Sequence, residues 1–527
     1  MMKIYKNLFW AVALLLVAGC AACTSKTESE GGNSGTGNEN TGGNETPGGG
    51  ENTEEPAPEP PAVVSKVDGY ITSQSLSYNF TYQSAEFSSV SMSPTKITLD
   101  PSVQYQDIDG FGAALTGSTC YNLMQMSATD RTKFLRETFD PVDGMGFSFI
   151  RMHIGGSDFS MSEYTCCDKP DINFFEIPAV EREGIWPVLR EIMQINPSLK
   201  IMGSPWSCPK WMKVNPDTKT GSWDNWKSGR LNPKYYADYA EYFVRWIQEM
   251  EGEGFPIYAI TMQNEPLNKG NSMSLYMPWE DQRDFIKVLG PAFEKANIKT
   301  KILLFDHNFD YDNKAGQQQY PLKIYNDATA RKYAAGSAWH SYSGHVSELD
   351  NIHSAAPDKS IYFTEASIGT WIANGTWDGV FKHCLLSDFA FIFLGTLSRH
   401  GSGVILWNLM LDDNRGPYRP NGGCSTCFGA VEINSSNYKT MRKSSHYYDI
   451  AHCSKVVKTG AKRIKSSGYK ANGLSYEAFL NPDGTLAVLA LNESSTDIRV
   501  SFQGPKKGFR FTLPAQSITS LRWNENE

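Results

Sequence analysis

Tyr235-Tyr-Ala-Asp-Tyr-Ala-Glu-Tyr-Phe-Val-Arg-Trp-Ile-Gln-Glu-Met250 is followed, after Glu251–Pro256, by Ile257-Tyr-Ala-Ile-Thr-Met262. In the first run the apolar positions 236, 239, 240, 243, 244 and 247 recur at helical spacing. The second is short, apolar and β-branched, as a buried strand is. The same unit recurs outward in both directions. Further strand-like runs are Ile108–Leu115, Phe147–His153, Leu199–Ser204, Lys301–Phe305, Gly336–His340, Ile361–Thr364 and Gly403–Trp407. Helical stretches at Thr129–Phe139, Glu183–Met193 and Gly379–Ser398 lie between some of them. Eight alternating units over about 340 residues predict an α/β fold, a (β/α)8 TIM barrel over 108–445. The run at 108 is the weakest, because two glycines interrupt it. A doubly wound open sheet is the alternative, but no Gly-x-Gly-x-x-Gly fingerprint supports it.

Both ends of the chain change character. From about 459 short alternating runs follow one another, with a hairpin signal at Asp483-Gly484. Residues 65–107 alternate similarly, as in Ser77–Tyr82 and Lys96–Leu99. The expectation is a side β-sandwich built from 65–107 and 446–527. At the start, Lys3 and Lys6 precede an apolar run ending Val17-Ala-Gly-Cys20. This reads as a signal peptide over 1–19 with lipid attachment to Cys20. Residues 24–61 contain no aromatic residue, so 20–64 reads as a solvated tether. That predicts an exported protein, lipid-anchored to a bacterial membrane. Eight glutamates against one lysine in 21–60 account for most of the net charge of −8. The rest is nearly neutral without a basic stripe, which excludes a nucleic-acid binder. Of ten cysteines, Cys424 and Cys427 are spaced for one small loop, and no second ligand pair suits a zinc site.

Among 57 acidic residues, position selects two. Glu265 follows the fourth strand-like run and Glu365 the seventh, at the barrel end that carries chemistry. Pro266 predicts an extended backbone at Glu265. Thr261-Met-Gln-Asn-Glu-Pro266 and Tyr362-Phe-Thr-Glu-Ala-Ser367 resemble the acid/base and nucleophile signatures of clan A glycoside hydrolases. Tyr105–Thr116, Ser157-Asp-Phe-Ser160, Ser204–Met212, Asp306-His-Asn308, His340-Ser-Tyr342, Trp407-Asn-Leu409 and Ser444–Lys455 extend the resemblance to glycoside hydrolase family 30. They run in that family's order from about residue 70 to the C-terminus.

The resemblance implies a retaining mechanism needing no metal or organic cofactor, with two carboxyl groups about 5–5.5 Å apart. Glu365 would be the nucleophile. Glu265 would be the acid/base, its pKa raised by its negative neighbour and by partial burial. Asn264 would bond the sugar 2-OH, and Asp158 would accept from hydroxyls on its far side. Trp206 and Trp407 would form stacking walls. His340 and Tyr342 would orient Glu365 or the sugar, and Arg151 would hold Glu365 ionised. Trp206 and Trp407 equally fit a barrel core, Arg151 a structural ion pair and His340 a satisfied interior histidine. Gly117 replaces an aspartate common in relatives, and Cys208-Pro-Lys departs from the usual Pro-Trp-Ser continuation, which bears on substrate rather than chemistry.

Within the family, the Asp306-His-Asn308 and Trp407-Asn-Leu409 segments look like the glucosidase and glucanase branches. With the tether, they imply a monomeric endo-β-1,6-glucanase acting on a polysaccharide. The alternatives are an exo-acting β-glucosidase or glucosylceramidase-like enzyme, and a non-catalytic glycan-binding surface lipoprotein. Retention of both glutamates weighs against the last.

Overall fold

The computed structural model describes residues 66–526. The expected signal peptide, lipidation at Cys20 and expected tether lie outside those residues. All eight strand-like runs are strands of one parallel sheet. They are β1 (Gly110–Ala113), β2 (Phe149–His153), β3 (Lys200–Ser204), β4 (Ile257–Thr261), β5 (Lys301–Asn308), β6 (Ala334–His340), β7 (Ser360–Glu365) and β8 (Gly401–Leu406). β1 pairs with β8, and the barrel closes where Ala114 bridges Arg151 and the Leu115 N–H donates to the Arg151 carbonyl at 2.8 Å. The glycines that weakened the first run belong to this closure. A Cβ on Gly112 would meet the Phe149 carbonyl oxygen at 1.9 Å.

The alternation of side chains along each strand builds the barrel interior in layers. Phe149, Met202, Ala259, Leu303, Ala338, Tyr362 and Ile405 form one apolar cluster inside. Their neighbours along the strands, such as Ile150, Ile201, Ile260, Ile361 and Val404, join the larger cluster between sheet and helices. Two residues beyond the apolar layer, at the C-terminal end, the interior turns polar: Arg151, Ser204, Thr261, His340 and Thr364. β5 breaks the count, because Leu303 plus two is Phe305. Phe305 and Asp306 both have φ of +73°, and the register with β6 slips between Phe305 and His307. The extra residue sends Phe305 out against Tyr320 and Trp339, with ring centroids 4.9 and 5.0 Å away, and brings Asp306 into the polar layer.

The side domain draws strands from both chain ends, as expected. In space their order is 81–85, 67–73, 517–524, 485–492, 474–480, 462–468, 96–107, 498–503 and 508–513. The layer folds over so that Phe509 meets Trp523 edge-on at 4.9 Å. At the expected hairpin, the Asn481 N–H donates to the Thr485 carbonyl at 2.9 Å and Gly484 has φ of +80°. The boundary expected at 445/446 needs correction. Ser445–Val456 is a helix packed on β1 and on the barrel helix Trp377–Asp388 as well as on strand Ser517–Asn524. The sheet resumes only at Lys462.

One buried acid affects stability. Glu181 lies in the helix Ala179–Gly184 with no exposed surface. Burial pushes its carboxyl up from 4.5 to about 8, with the Tyr164 hydroxyl and the Gly155 backbone offsetting only part. The folded chain therefore keeps a proton that the unfolded chain releases above 4.5. Its contribution is intact below that pH, declines as pH rises, and is lost by about 8. Glu181→Gln should remove the decline, gaining roughly 3–5 kcal/mol at pH 8 and almost nothing at pH 4.5. Urea midpoints across that window check this. Equal pH slopes for the two proteins would contradict it.

Candidate active site

Glu265 and Glu365 both line a cavity of about 440 Å³ at the C-terminal end of the barrel. They stand at opposite ends of one string of buried contacts. Glu365 Oε2 accepts from Arg151 Nη1 at 2.6 Å, and Arg151 Nη2 donates to Asp306 Oδ2 at 2.8 Å. Asp306 Oδ1 lies 3.0 Å from His340 Nε2, and His340 Nδ1 lies 3.4 Å from Glu265 Oε1. Arg151, Asp306 and His340 have no exposed surface. Around the string, Thr261 and Thr364 hydroxyls each donate to Asp306 at 2.7 Å, and Ser204 does so at 3.2 Å. Asp306 thus receives five donors and is strongly held as the anion, the Arg151 and His340 charges outweighing its burial.

The backbone at Glu265 departs from the extended form expected before proline. Its φ is +43°, with its N–H donating to the Asp306 carbonyl at 3.0 Å. A left-handed non-glycine residue here is local strain held by the surrounding frame. Asn268 Nδ2 donates to Glu265 Oε2 at 2.7 Å.

The protonation pattern also differs from expectation. Burial alone would raise Glu265. The His340 bond, the His307 and His340 charges and the Asn268 amide reverse this and hold it at about 2. His340, despite its own burial, is lifted to about 9 by Glu365, Asp306 and Glu265. His340 Nδ1 and Glu265 Oε1, 3.4 Å apart, thus form a pair in which the histidine favours the cation and the carboxyl the anion. Glu365 is pushed up by burial, opposed by the His340 and Arg151 charges, with Glu265 and Asp306 adding to the push.

The other expected residues divide. Arg151 contacts Glu365 as expected and also Asn264 Oδ1 at 2.5 Å, which fixes that amide with its nitrogen turned elsewhere. Tyr342 donates to Glu365 Oε1 at 2.9 Å. His340 serves Glu265 and Asp306 rather than Glu365. Asp158 lines the cavity with Oδ1 unpartnered. Burial and the charges of Glu365 and Glu265 push its carboxyl well up, so it can donate as well as accept. Trp407 lines the cavity, but Trp206 does not. Trp206 stacks behind Trp407 at 5.1 Å, with the Arg151 guanidinium 5.0 Å over its ring. Trp206 is a support, not a wall. Cys424 and Cys427 form the expected small disulfide loop, and both line the cavity.

Three residues of consequence escaped the sequence reading. Asp306 appeared only as part of a motif, and its place at the end of a strand was the available signal. Asn268 and Trp371 carried none. Trp371 is 53% exposed on the cavity rim, its ring laid over Gly369, where a Cβ would meet it at 2.2 Å.

Comparison with known proteins agrees with this geometry. The glycosyl hydrolase family 30 TIM-barrel domain matches residues 108–457, and the family 30 beta sandwich domain matches 460–521. An endo-1,6-beta-D-glucanase of Aspergillus fumigatus is 32% identical over 440 residues, covering 79% of this chain and 84% of that protein. A lysosomal acid glucosylceramidase of Mus musculus is 27% identical over 458 residues, covering 81% and 83%. A solved endo-beta1,6-glucanase structure is 52% identical and covers 88% of this chain and 100% of its own, with a TM-score of 0.84. Matched along both its barrel and its side sheet, with two carboxyl groups converging on one cavity, the chain belongs to glycosyl hydrolase family 30.

Proposed function

We propose that the protein is an endo-acting β-1,6-glucanase working by double displacement, with Glu365 as nucleophile and Glu265 as acid/base. The observation that carries the chemistry is the buried string joining the two carboxyl groups. Arg151 and Tyr342 donate to Glu365, stabilising the carboxylate that must attack the anomeric carbon. As the C–O bond to the leaving sugar breaks, Glu265 delivers to that oxygen the proton it receives from His340 Nδ1, 3.4 Å from its Oε1. Glu265 then takes a proton from water, which hydrolyses the glycosyl ester and restores Glu365. Two inversions leave the β configuration unchanged. Asn264, held by Arg151, is poised for the sugar 2-OH, Asp158 for hydroxyls opposite, and Trp407 for the ring face.

The substrate assignment is supported by the names of the relatives at 32% and 52% identity. Trp371 supports binding of more than one sugar, since its exposed ring extends the cavity rim. The test is product analysis on linear β-1,6-glucan, with β-1,3-glucan, xylan and glucosylceramide as comparisons. Early oligosaccharides of mixed length are expected from β-1,6-glucan alone. Glucose as the first and only product would replace the endo reading with an exo one, and turnover of glucosylceramide alone would move the substrate to a glycolipid. In the same assay Trp371→Ala should raise KM for the polymer about tenfold, roughly 1.4 kcal/mol of lost stacking. Unchanged KM would remove Trp371 from the binding surface.

A further inference from the structure

The geometry points to an inhibitory binding site for a borderline-soft divalent cation, of which zinc is the type, formed by Glu265, His307 and His340. One ligand atom from each residue lies within 4.8 Å of the other two. The Glu265 Oε1 to His340 Nδ1 edge, at 3.4 Å, already matches the roughly 3.3 Å between donors around a tetrahedral ion bonded at about 2.0–2.1 Å. The two edges from His307 are no longer than 4.8 Å, so that ring must approach for the three to close on an ion.

Three further observations favour a metal over a plain hydrogen-bond cluster. Each imidazole is backed by a carboxylate, as metal-binding histidines commonly are. His340 Nε2 lies 3.0 Å from Asp306 Oδ1, and His307 Nε2 lies 2.8 Å from Asp312 Oδ2. His307 is 1% exposed, and its Nδ1, the nitrogen turned away from Asp312, has no hydrogen-bond partner. Besides Asp158, whose carboxyl is pushed well up, the cavity is lined by the acidic side chains of Glu265, Asp312 and Glu365 and by no lysine or arginine. A cation entering by the route the glycan takes therefore meets no lysine or arginine on the cavity wall. Two imidazole nitrogens and one carboxylate oxygen suit zinc or copper and discriminate against magnesium and calcium, which prefer oxygen alone. The bound ion occupies the oxygen through which Glu265 exchanges its proton, so binding and turnover exclude each other. That inhibition rests on the acid/base role proposed for Glu265, whereas the binding does not.

Zinc chloride is titrated into the full chain by calorimetry, without reductant or chelating buffer, and β-1,6-glucan hydrolysis is followed in parallel. One equivalent should bind, hydrolysis should fall with the same dependence on zinc, and EDTA should restore it. Magnesium and calcium should have no effect. Glu265→Gln, His307→Ala and the bulkier His307→Gln should each weaken binding by at least about tenfold, with circular dichroism checking the fold. For the His307 variants, inhibition is scored against each variant's own rate. No binding heat at 1 mM zinc, or unchanged affinity in folded His307 and Glu265 variants, would overturn the site. If zinc binds as expected while Glu265→Gln still hydrolyses glucan at full rate, the cation site stands and the catalytic assignment fails.

Discussion

Replacing Glu365 by glutamine should lower kcat on β-1,6-glucan by at least about four orders of magnitude, some 5.5 kcal/mol of transition-state stabilisation. The amide keeps the shape and can still accept from Tyr342, but it cannot form the glycosyl ester. The loss should be equally severe on activated aryl glycosides, since no leaving group compensates for a missing nucleophile. Glu265→Gln should behave differently. Hydrolysis of the polymer should fall by about 10²–10⁴. A dinitrophenyl β-glycoside of a 1,6-linked disaccharide, whose leaving group needs no proton, should lose far less in its first step. Azide should accelerate its turnover and yield a β-glycosyl azide. Steady-state rates on both substrates, with the azide product identified, separate the roles. A β-configured azide product from the Glu365 variant, together with an α-configured one and severe loss on both substrates for the Glu265 variant, would exchange the two assignments.

The second large effect is expected at Asp306, which touches no sugar. Its Oδ1 faces His340 Nε2 and the Thr364 hydroxyl, and its Oδ2 faces Arg151, Thr261 and Ser204. Every neighbour is placed to donate, so an asparagine amide turned either way sets its own N–H groups against donors. It also leaves Arg151, with no exposed surface, only one carboxylate partner. Asp306→Asn should cost on the order of 3–5 kcal/mol of stability. The folded remainder should show kcat reduced about 10²-fold, as Arg151 and His340 lose their common anchor. Urea unfolding and kcat on folded protein read the two effects separately. Wild-type values in both would mean the string does not act as a unit.

Much of this architecture is written in local pattern. Strands covered by helices on one side and interior layers on the other are apolar throughout, and all eight are visible as runs. The ends of those runs also mark Glu265 and Glu365. What was hidden depends on partners that a linear reading lacks. The slip at Phe305 and Asp306 is defined only against the register of β6, and without it Asp306 would point out of the barrel. Glu265 adopts positive φ because its N–H is claimed by the Asp306 carbonyl, a demand that overrides the bias of Pro266. Ser445–Val456 escaped for the opposite reason. Nearly every residue of this helix is buried between barrel and sheet, so it has no polar face and no helical period to detect. The low pKa of Glu265 follows from His340, 75 residues away in sequence.

The pairing of strand Val67–Ser73 with strand Ser517–Asn524 also sets a timetable for synthesis. The first of these leaves the ribosome about 440 residues before its partner exists. At roughly 5–20 residues per second, it waits about 20–90 s with a backbone edge unsatisfied. The barrel, by contrast, can begin to assemble from consecutive units as they emerge. Nascent chains stalled before residue 517 should therefore hold a protease-resistant barrel and a cleavable amino-terminal segment. The eight-residue strand Ser517–Asn524 acts as the clasp that ties the early segment to the rest of the side sheet.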